Sequence, residues 1–496
     1  MADERILVIG AGIAGLFSAL ALARDGRELL IIDKDPPPPE GGADAAFADW
    51  KHNGVGHLRH SHAFLARLNV LVKQHHPALH QALLDAGCRE LGIADSLPPP
   101  MVPLWTAQSG DDDLSVLTSR RTTLELVIRR YVETLPGVTF QTGVFVREAI
   151  LEATPEGRRI AGVRTGGADE PQGEIRADIT LDASGRLSEI PAQLRADGAV
   201  IGEEAEDCGI LYYTRHYRLR PGQSEPPRGA HGGTGDLGFL KFGLFPGDNG
   251  CFSITLAVPE IETELRQKVI DPAVFDAICR HYPGLAPWLD EARTEPVGRV
   301  HGMGDLRGHW RDFVTAEGAP AALGYFPIGD AMIRANPLYG RGCSFAAVAA
   351  FELKAALEEA ATPLARARAY HGRIRSVLRP YFDGMRNQDR AAIKRAAAIR
   401  NPPPKPVVPS ITSAIGRSLG NDGIAIALRS DPVLLRAAMR DFHMLEPQPG
   451  AWLKKPDNWL RIGKWWLRGK RANADRYPPK PGPDRKFIFD AIGLAA

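Results

Sequence analysis

The apolar positions of RILVIGAGIAGLFSALALARDGRELLIID change their period along the stretch. Ile6 to Ile9 is a short continuous run rich in β-branched side chains, the pattern of a strand buried on both faces. After Gly15 the apolar residues fit a buried helix, and Glu28 to Asp33 returns to a strand pattern. PPPPEGGADAAFADW then interrupts with a proline- and glycine-rich loop. The chain from His62 to Gly87 reads as helical, and residues 120–135 as an amphipathic helix with Leu124, Val127, Ile128 and Tyr131 or Val132 on one face. GVTFQTGVFVREAILEA and RRIAGVRTGG alternate as strands of a β-meander, and IRADITLDASGR brings a strand to a turn of small residues. Arg215 to Pro259 is again β-rich, with glycine turns. AALGYFPIGDAMIRANPLYGRGCSFAAVAAFELKAALEEA runs strand, loop, long helix; beyond residue 365 the chain is mainly helical, broken by NPPPKPVVP.

At 496 residues, two or three interleaved domains are expected. A net charge of +2 gives no global attraction to nucleic acid. No apolar run approaches the roughly 18 residues of a membrane span. MADERILVIG lacks a basic start followed by an apolar signal segment, so the cytoplasm is the expected location. Five scattered cysteines without a C-x-x-C pair argue for free buried thiols and against a disulfide framework or structural zinc.

Gly10, Gly12 and Gly15 have G-x-G-x-x-G spacing between the first strand and the helix. The first permits the tight turn, the second lets a pyrophosphate approach the backbone, and the third lets helix pack on strand. Ala14 lies within this turn, and Asp33 ends the second strand about 20 residues on, where its carboxylate can accept from both ribose hydroxyls. A 2′-phosphate would be repelled there, so FAD or NAD(H) fits better than NADP. Lys34 joins this set of expected cofactor contacts.

Two further motifs follow in order: Asp182-Ala-Ser-Gly-Arg186 after an apolar strand, and Gly329-Asp330 with Asn336-Pro337-Leu-Tyr-Gly340-Arg-Gly342. Together the three motifs resemble the FAD-dependent monooxygenases related to p-hydroxybenzoate hydroxylase, a superfamily that also holds flavin epoxidases, geranylgeranyl-type reductases and halogenases. The resemblance spans roughly residues 5 to 360. It implies an α/β fold: a doubly wound Rossmann-like FAD-binding domain with an inserted antiparallel β-rich substrate domain and a helical C-terminal extension. The corresponding division is 1–205 (FAD domain with the meander), 206–300 (substrate domain), 301–365 (return of the FAD domain) and 366–496 (extension). It places Asp330 on the ribityl hydroxyls and the Pro337–Gly342 turn against the flavin pyrimidine ring, where helix-start N–H groups stabilise negative charge. It also places the arginine of an R-x-x-L-E helix, here Arg121, on the FAD phosphates; Arg120 is adjacent, so the register is open. D-A-S-G-R departs from the Asp-Gly form of the aromatic hydroxylases, which leaves Asp182 to cap a turn near the pyrophosphate and makes NADPH handling less securely transferred.

The expected activity is monooxygenation, hydroxylation or epoxidation, of a hydrophobic or aromatic small molecule of the natural-product kind, with O2 activated as a flavin hydroperoxide. NAD(P)H would serve as reductant directly or through a separate flavin reductase. The same frame serves FAD-dependent dehydrogenases and prenyl-chain reductases. A halogenase would carry W-x-W-x-I-P, which is absent, and a non-enzymatic flavin protein would have no reason to keep the Asn336–Gly342 loop. Tyr212, Tyr213, His216, Tyr217, Phe239, Phe242 and Phe245 are candidates to line an apolar pocket, though sheet cores use the same residues.

Two segments carry further chemistry. GHLRHSHAF, residues 56–64, gathers His57, Arg59, His60 and His62 without the carboxylates or spacing of a metal site. It resembles the flavin-pocket wall of epoxidase relatives, which makes His62, His60 and Arg59 the catalytic candidates, as flavin contacts or proton donors. His62 ranks first and His57 last. NWLRIGKWWLRGKRA, residues 458–472, has a composition that suits peripheral contact with a membrane, and equally a helix packed on the body with its basic residues in water.

Overall fold

The computed structural model describes residues 4–166, 173–227, 229–402 and 410–494; of the expected proline-rich break, 403–409 lie outside the described residues. The Arg5–Ile9 strand is the centre of a five-stranded parallel sheet ordered Tyr325–Pro327, Ile179–Asp182, Arg5–Ile9, Glu28–Asp33, Val138–Thr142. Ile6, Leu7, Val8 and Ile9 are all buried, which is why this run is continuously apolar instead of alternating.

Val138–Thr142 corrects one expectation: it is an edge strand of the parallel sheet, not part of the meander. An edge strand has one half-covered face and so alternates just as a meander strand does. The meander is Val146–Thr154, Gly157–Thr165 and Gly173–Arg176. The helix expected from 62 to 87 is two helices, Ala66–His75 and Pro77–Asp85, with Pro77 starting the second because it cannot continue the first. Arg121–Glu133 is helical as its periodicity requires.

Helix Ile13–Leu22 is buried at every position but Ala14, and it packs on Gly342–Glu359, whose Ala346, Ala347, Ala349 and Ala350 allow close approach. The inserted sheet is antiparallel, ordered Thr234–Asp236, Lys241–Pro246, Cys251–Pro259, Ile210–Leu219, Thr294–Met303. Its side chains alternate across the pleat. Tyr213 and Tyr217 enter an apolar core with Phe239, Phe242 and Phe252. Tyr212, Thr214 and His216 point the other way and reach Asn336, His60 and the Arg59 carbonyl. Most of the aromatics expected in a pocket are therefore sheet core. A small sheet of Gly202–Asp207, Arg307–Asp312 and Ile333–Arg334 ties the insert to the half that holds the parallel sheet. Helix Pro363–Arg400 then runs back past the Asn336 turn, where Asp389 accepts from Asn336 Nδ2 at 2.8 Å. Among the described residues no helix is long and apolar enough to cross a membrane.

Candidate flavin site

The glycine turn shows which of its glycines serve the fold and which leave room for a ligand. At Gly10, with φ +104°, a Cβ would lie 2.5 Å from the Ala183 carbonyl oxygen. At Gly15 it would lie 1.9 Å from the Gly10 oxygen. At Gly12 the nearest protein atoms would be Glu125 Oε1 at 3.6 Å and Val55 Cγ2 at 3.7 Å, ordinary contacts. Gly12 also N-caps helix Ile13–Leu22 without any side-chain cap, so the first helical N–H groups keep their donors for an anion. This is the cradle a dinucleotide pyrophosphate requires, and the residues fit FAD.

Asp33 and Asp182 both brace that cradle. Asp33 Oδ2 accepts from the Ala11 N–H at 2.5 Å and Oδ1 from the Asp35 N–H at 2.8 Å. Asp182 is fully buried, accepts from the Ser184 N–H and hydroxyl and from Ser188, and takes a 2.8 Å bond from Tyr325. Its carboxylate is thus consumed in capping the D-A-S-G-R turn, which packs directly on Gly10, and a cofactor contact by this side chain is corrected to a positioning role. Lys34 is exposed at the strand end.

Behind the glycine turn a buried chain of charges joins the R-x-x-L-E pair to Asp35 and His52, which belong to no motif. Asp35 accepts from the Gly54 N–H at 2.7 Å and meets His52 Nδ1 at 3.1 Å. His52 Nε2 lies 3.3 Å from Glu125 Oε1, and Arg121 Nε donates to Glu125 Oε2 at 2.9 Å. Burial alone would lower the His52 pKa, but its bonds to Asp35 and Glu125 prevail and hold it up at about 9. Burial raises Glu125, yet Arg121 and His52 pull it down to about 2. Asp33, Asp35 and His52 offer ligand atoms within 4.8 Å of one another; each is engaged by the protein partners just named. The G-x-G-x-x-G turn and the Arg121–Glu125 spacing were legible, but their link to Asp35 and His52 joins residues too far apart for spacing to reveal.

Arg120 and Arg121, the two arginines at the start of the R-x-x-L-E helix, point to different partners. Arg120 turns away to Asp248, with Nη2 2.6 Å from Oδ2, and to Asp44. Arg121 Nη1 lies 2.6 Å from His57 Nε2, 3.5 Å from His62 Nε2 and 3.8 Å from Cys343 Sγ. Arginine only donates, so His57 must be the Nδ1–H tautomer. His62 Nδ1 faces the His60 carbonyl at 2.9 Å, which likewise leaves its Nε2 lone pair toward Arg121. Burial, then Arg121, lowers His57 far below its usual value and His62 to about 3. His62 as a proton donor is therefore corrected: at neutral pH it is an uncharged acceptor beside a fixed cation. Of the two histidines, His57 makes the shorter contact with Arg121. Arg59 is corrected as well. Its guanidinium donates to the Phe47, Ala48 and Trp50 carbonyls and ties down the end of helix Ala43–Asp49.

Asp330 sits on the same side as Arg121 and Arg334, with burial raising its pKa against the pull of those cations. Gly329, at φ +65°, would place a Cβ 2.9 Å from that of Ala14, so the Gly-Asp turn packs on the helix of the glycine turn. Asn336 caps its own turn, accepting from the Leu338 N–H at 3.0 Å, and also accepts from the Tyr212 hydroxyl. Pro337 follows at the first position of that turn. A Cβ at Gly340 would come 3.5 Å from the Ala63 oxygen, and at Gly342 no protein atom lies within 4 Å. The histidine segment, the Asn336 turn and the inserted sheet therefore meet at one place.

On the sheet side of the histidine segment lies a strip of hydroxyls. His60 Nδ1 is 3.0 Å from Thr214 Oγ1, which is 2.7 Å from Thr255 Oγ1. Thr255 donates to Ser61 and Ser61 to Ser253, each at 2.7 Å. With those two protons placed, Thr214 must donate to Thr255 and His60 Nδ1–H to Thr214, so the whole chain is polarised one way. Burial and the nearby His301 hold His60 down at about 4. Burial lowers His216 to about 3, and its Nε2 faces the Arg59 carbonyl at 3.1 Å. All five cysteines are free thiols.

Comparison with known proteins agrees with this geometry. Residues 5–176 match the family described as FAD dependent oxidoreductase. Protein Rv3254 of Mycobacterium tuberculosis is 26% identical over 376 residues, 72% of this chain and 73% of that protein. The myxobacterial chondrochloren halogenase CndH has a similar structure, with a TM-score of 0.56 at 16% identity over 90% of this chain and 97% of that one. OxyS anhydrotetracycline hydroxylase from Streptomyces rimosus gives 0.54 at 16% identity, over 89% of this chain and 76% of that one. Residues 5–176 are thus similar to FAD-dependent oxidoreductases, and the chain has the fold seen in a flavin halogenase and a hydroxylase.

Proposed function

We propose that this protein is an FAD-dependent monooxygenase that hydroxylates or epoxidises a hydrophobic or aromatic small molecule, with NAD(P)H as reductant either directly or through a flavin reductase. The observation that carries it is the hydroxyl chain from His60 to Ser253, lodged between the inserted sheet and the segment that also holds Arg121 in place. Bound FAD supplies the redox chemistry with dioxygen. The chain's own residues do the rest. The Gly12 turn and the helix it caps bind the pyrophosphate, and Asp33 braces that turn. Arg121 supplies a buried positive charge that neutral His57 and His62 share without adding to it. Asp330 and the Asn336–Gly342 turn orient the ring. Ser61, Thr255 and Thr214 hold a polar substrate atom, or pass a proton outward from His60 Nδ1 while His60 Nε2 takes one up from solvent in exchange, so that the imidazole stays neutral. Tyr212, Leu338, Ala257 and Met303 pack together beside the turn and keep that edge dry.

The test is NAD(P)H consumption by the FAD-loaded protein across a panel of phenols, polycyclic aromatics and alkenes under labelled dioxygen. Stimulation by a substrate with one labelled oxygen atom in the product is the expected result. Substrate oxidation that proceeds without dioxygen, giving an unlabelled product and reduced flavin, would assign the frame to a dehydrogenase instead.

A further inference from the structure

We propose that the C-terminal helices form a docking face for an anionic lipid bilayer. Helix Pro456–Trp466 packs on the small core of Ala427, Leu434, Ala438 and Trp452 through one side only, with Ile462 as its buried anchor. Leu460 and Leu467 are 73% and 76% exposed. They stand seven positions, two helical turns, apart on the outward side. Trp459 borders them.

A second short helix adjoins the first. Ile411–Ser418 has no buried residue, and Ile411 and Ile415, one turn apart, are 80% and 49% exposed. Trp466 Nε1 donates to Ser418 Oγ at 3.1 Å and joins the two helices. A helix this short gains little in water without packing, so its bare apolar stripe needs a covering partner.

The charge on this face selects the partner. Residues 454–471 hold seven basic side chains and one acid, Asp457, in a chain whose net charge is only +2. Arg461 is tied to Asp431 at 3.1 Å and Arg468 lies 4.2 Å from the Trp465 ring centre. Lys464, Lys470 and Arg471 have no ion-pair partner among the described residues. Leucines and a tryptophan between lysines and arginines match the headgroup boundary, with apolar groups entering the acyl edge and cations meeting lipid phosphates. A second copy of this face would instead bring like charge against like charge.

The test uses the full-length, FAD-loaded protein in flotation with phosphatidylglycerol and phosphatidylcholine vesicles. Binding to phosphatidylglycerol alone, weakened by salt, is expected. Lys464→Gln and Lys470→Gln should each lower it about fivefold. Leu460→Ser with Leu467→Ser should lower it further, while FAD content and thermal unfolding stay unchanged and so report an intact fold. Equal binding to both lipids, no binding to either, or binding indifferent to these changes would overturn the proposal. So would a concentration-dependent dimer that the leucine variants abolish, since a second copy would then be the partner.

Discussion

Arg121 and His57 are held 2.6 Å apart, guanidinium N–H to imidazole lone pair, with Glu125 on the other side of the arginine. The arrangement holds a permanent buried cation and keeps the adjoining histidines neutral. Arg121→Met removes that charge and leaves Glu125 with His52 alone, a buried carboxylate half-compensated. Loss of one partner in a buried ion network costs about 3 kcal/mol. Urea unfolding should show this drop, and titration with FAD should show weaker binding. Unchanged FAD affinity in a variant that still folds would remove Arg121 from the cofactor site.

Stability should pass through a maximum near pH 6.5. His52 is raised to about 9 in the fold, so its contribution is complete below 6.5 and is lost as pH rises through 9. That gap corresponds to an order of 3 kcal/mol. His60, His62 and His216 are lowered to about 4, 3 and 3, so the unfolded chain binds their protons first and stability falls as pH drops below 6.5. Unfolding midpoints measured across this range should bend on both sides. His52→Gln should flatten the alkaline limb only; an alkaline limb that survives it would assign the slope to other groups.

Gly10 and Gly12 should separate folding from cofactor binding. Gly10→Ala meets a carbonyl at 2.5 Å in a left-handed conformation, a cost of about 2–3 kcal/mol in unfolding experiments. Gly12→Ala meets only contacts of 3.6 Å or more, so the apoprotein should lose about 1 kcal/mol or less. Its FAD affinity should nonetheless fall about tenfold, equivalent to about 1.4 kcal/mol. Equal effects of the two variants on folding would mean that Gly12 is kept for the turn and not for the ligand.

The parts legible in the sequence are those whose physics is local. A glycine turn between a buried strand and a helix is a contiguous feature, and so is the capped Asn336 turn. The alternation of Ile210–Leu219 was visible, but which face met the core was not, because that depends on where the sheet docks. Tyr213 and Tyr217 went inward, and the face toward the histidines is Thr214, Thr255 and Ser253, residues that draw no attention singly. Arg59 looked chemical from its neighbours and proved to be a clamp on carbonyls, while His52, outside any motif, became the centre of the buried charges. Asp389, on a helix remote in sequence, anchors both Asn336 and Tyr339 at 2.8 Å. Long-range pairing of polar groups leaves no periodic trace.

Thr255 is the link on which the hydroxyl chain depends, since among the described residues it alone joins Thr214 to Ser61. Thr255→Val keeps the shape and removes the hydroxyl, which should cost about 1 kcal/mol of stability. If the chain moves a proton during turnover, kcat should fall about a hundredfold with KM little changed, the size of a lost acid–base contribution. The solvent deuterium effect on kcat should change at the same time, because a different step then limits the rate. Thr255→Ser restores the hydroxyl and should recover both. A merely structural threonine would show the stability loss, no change in isotope effect, and no preference for serine over valine in kcat; that pattern would leave His60 without a route to the substrate through Ser61.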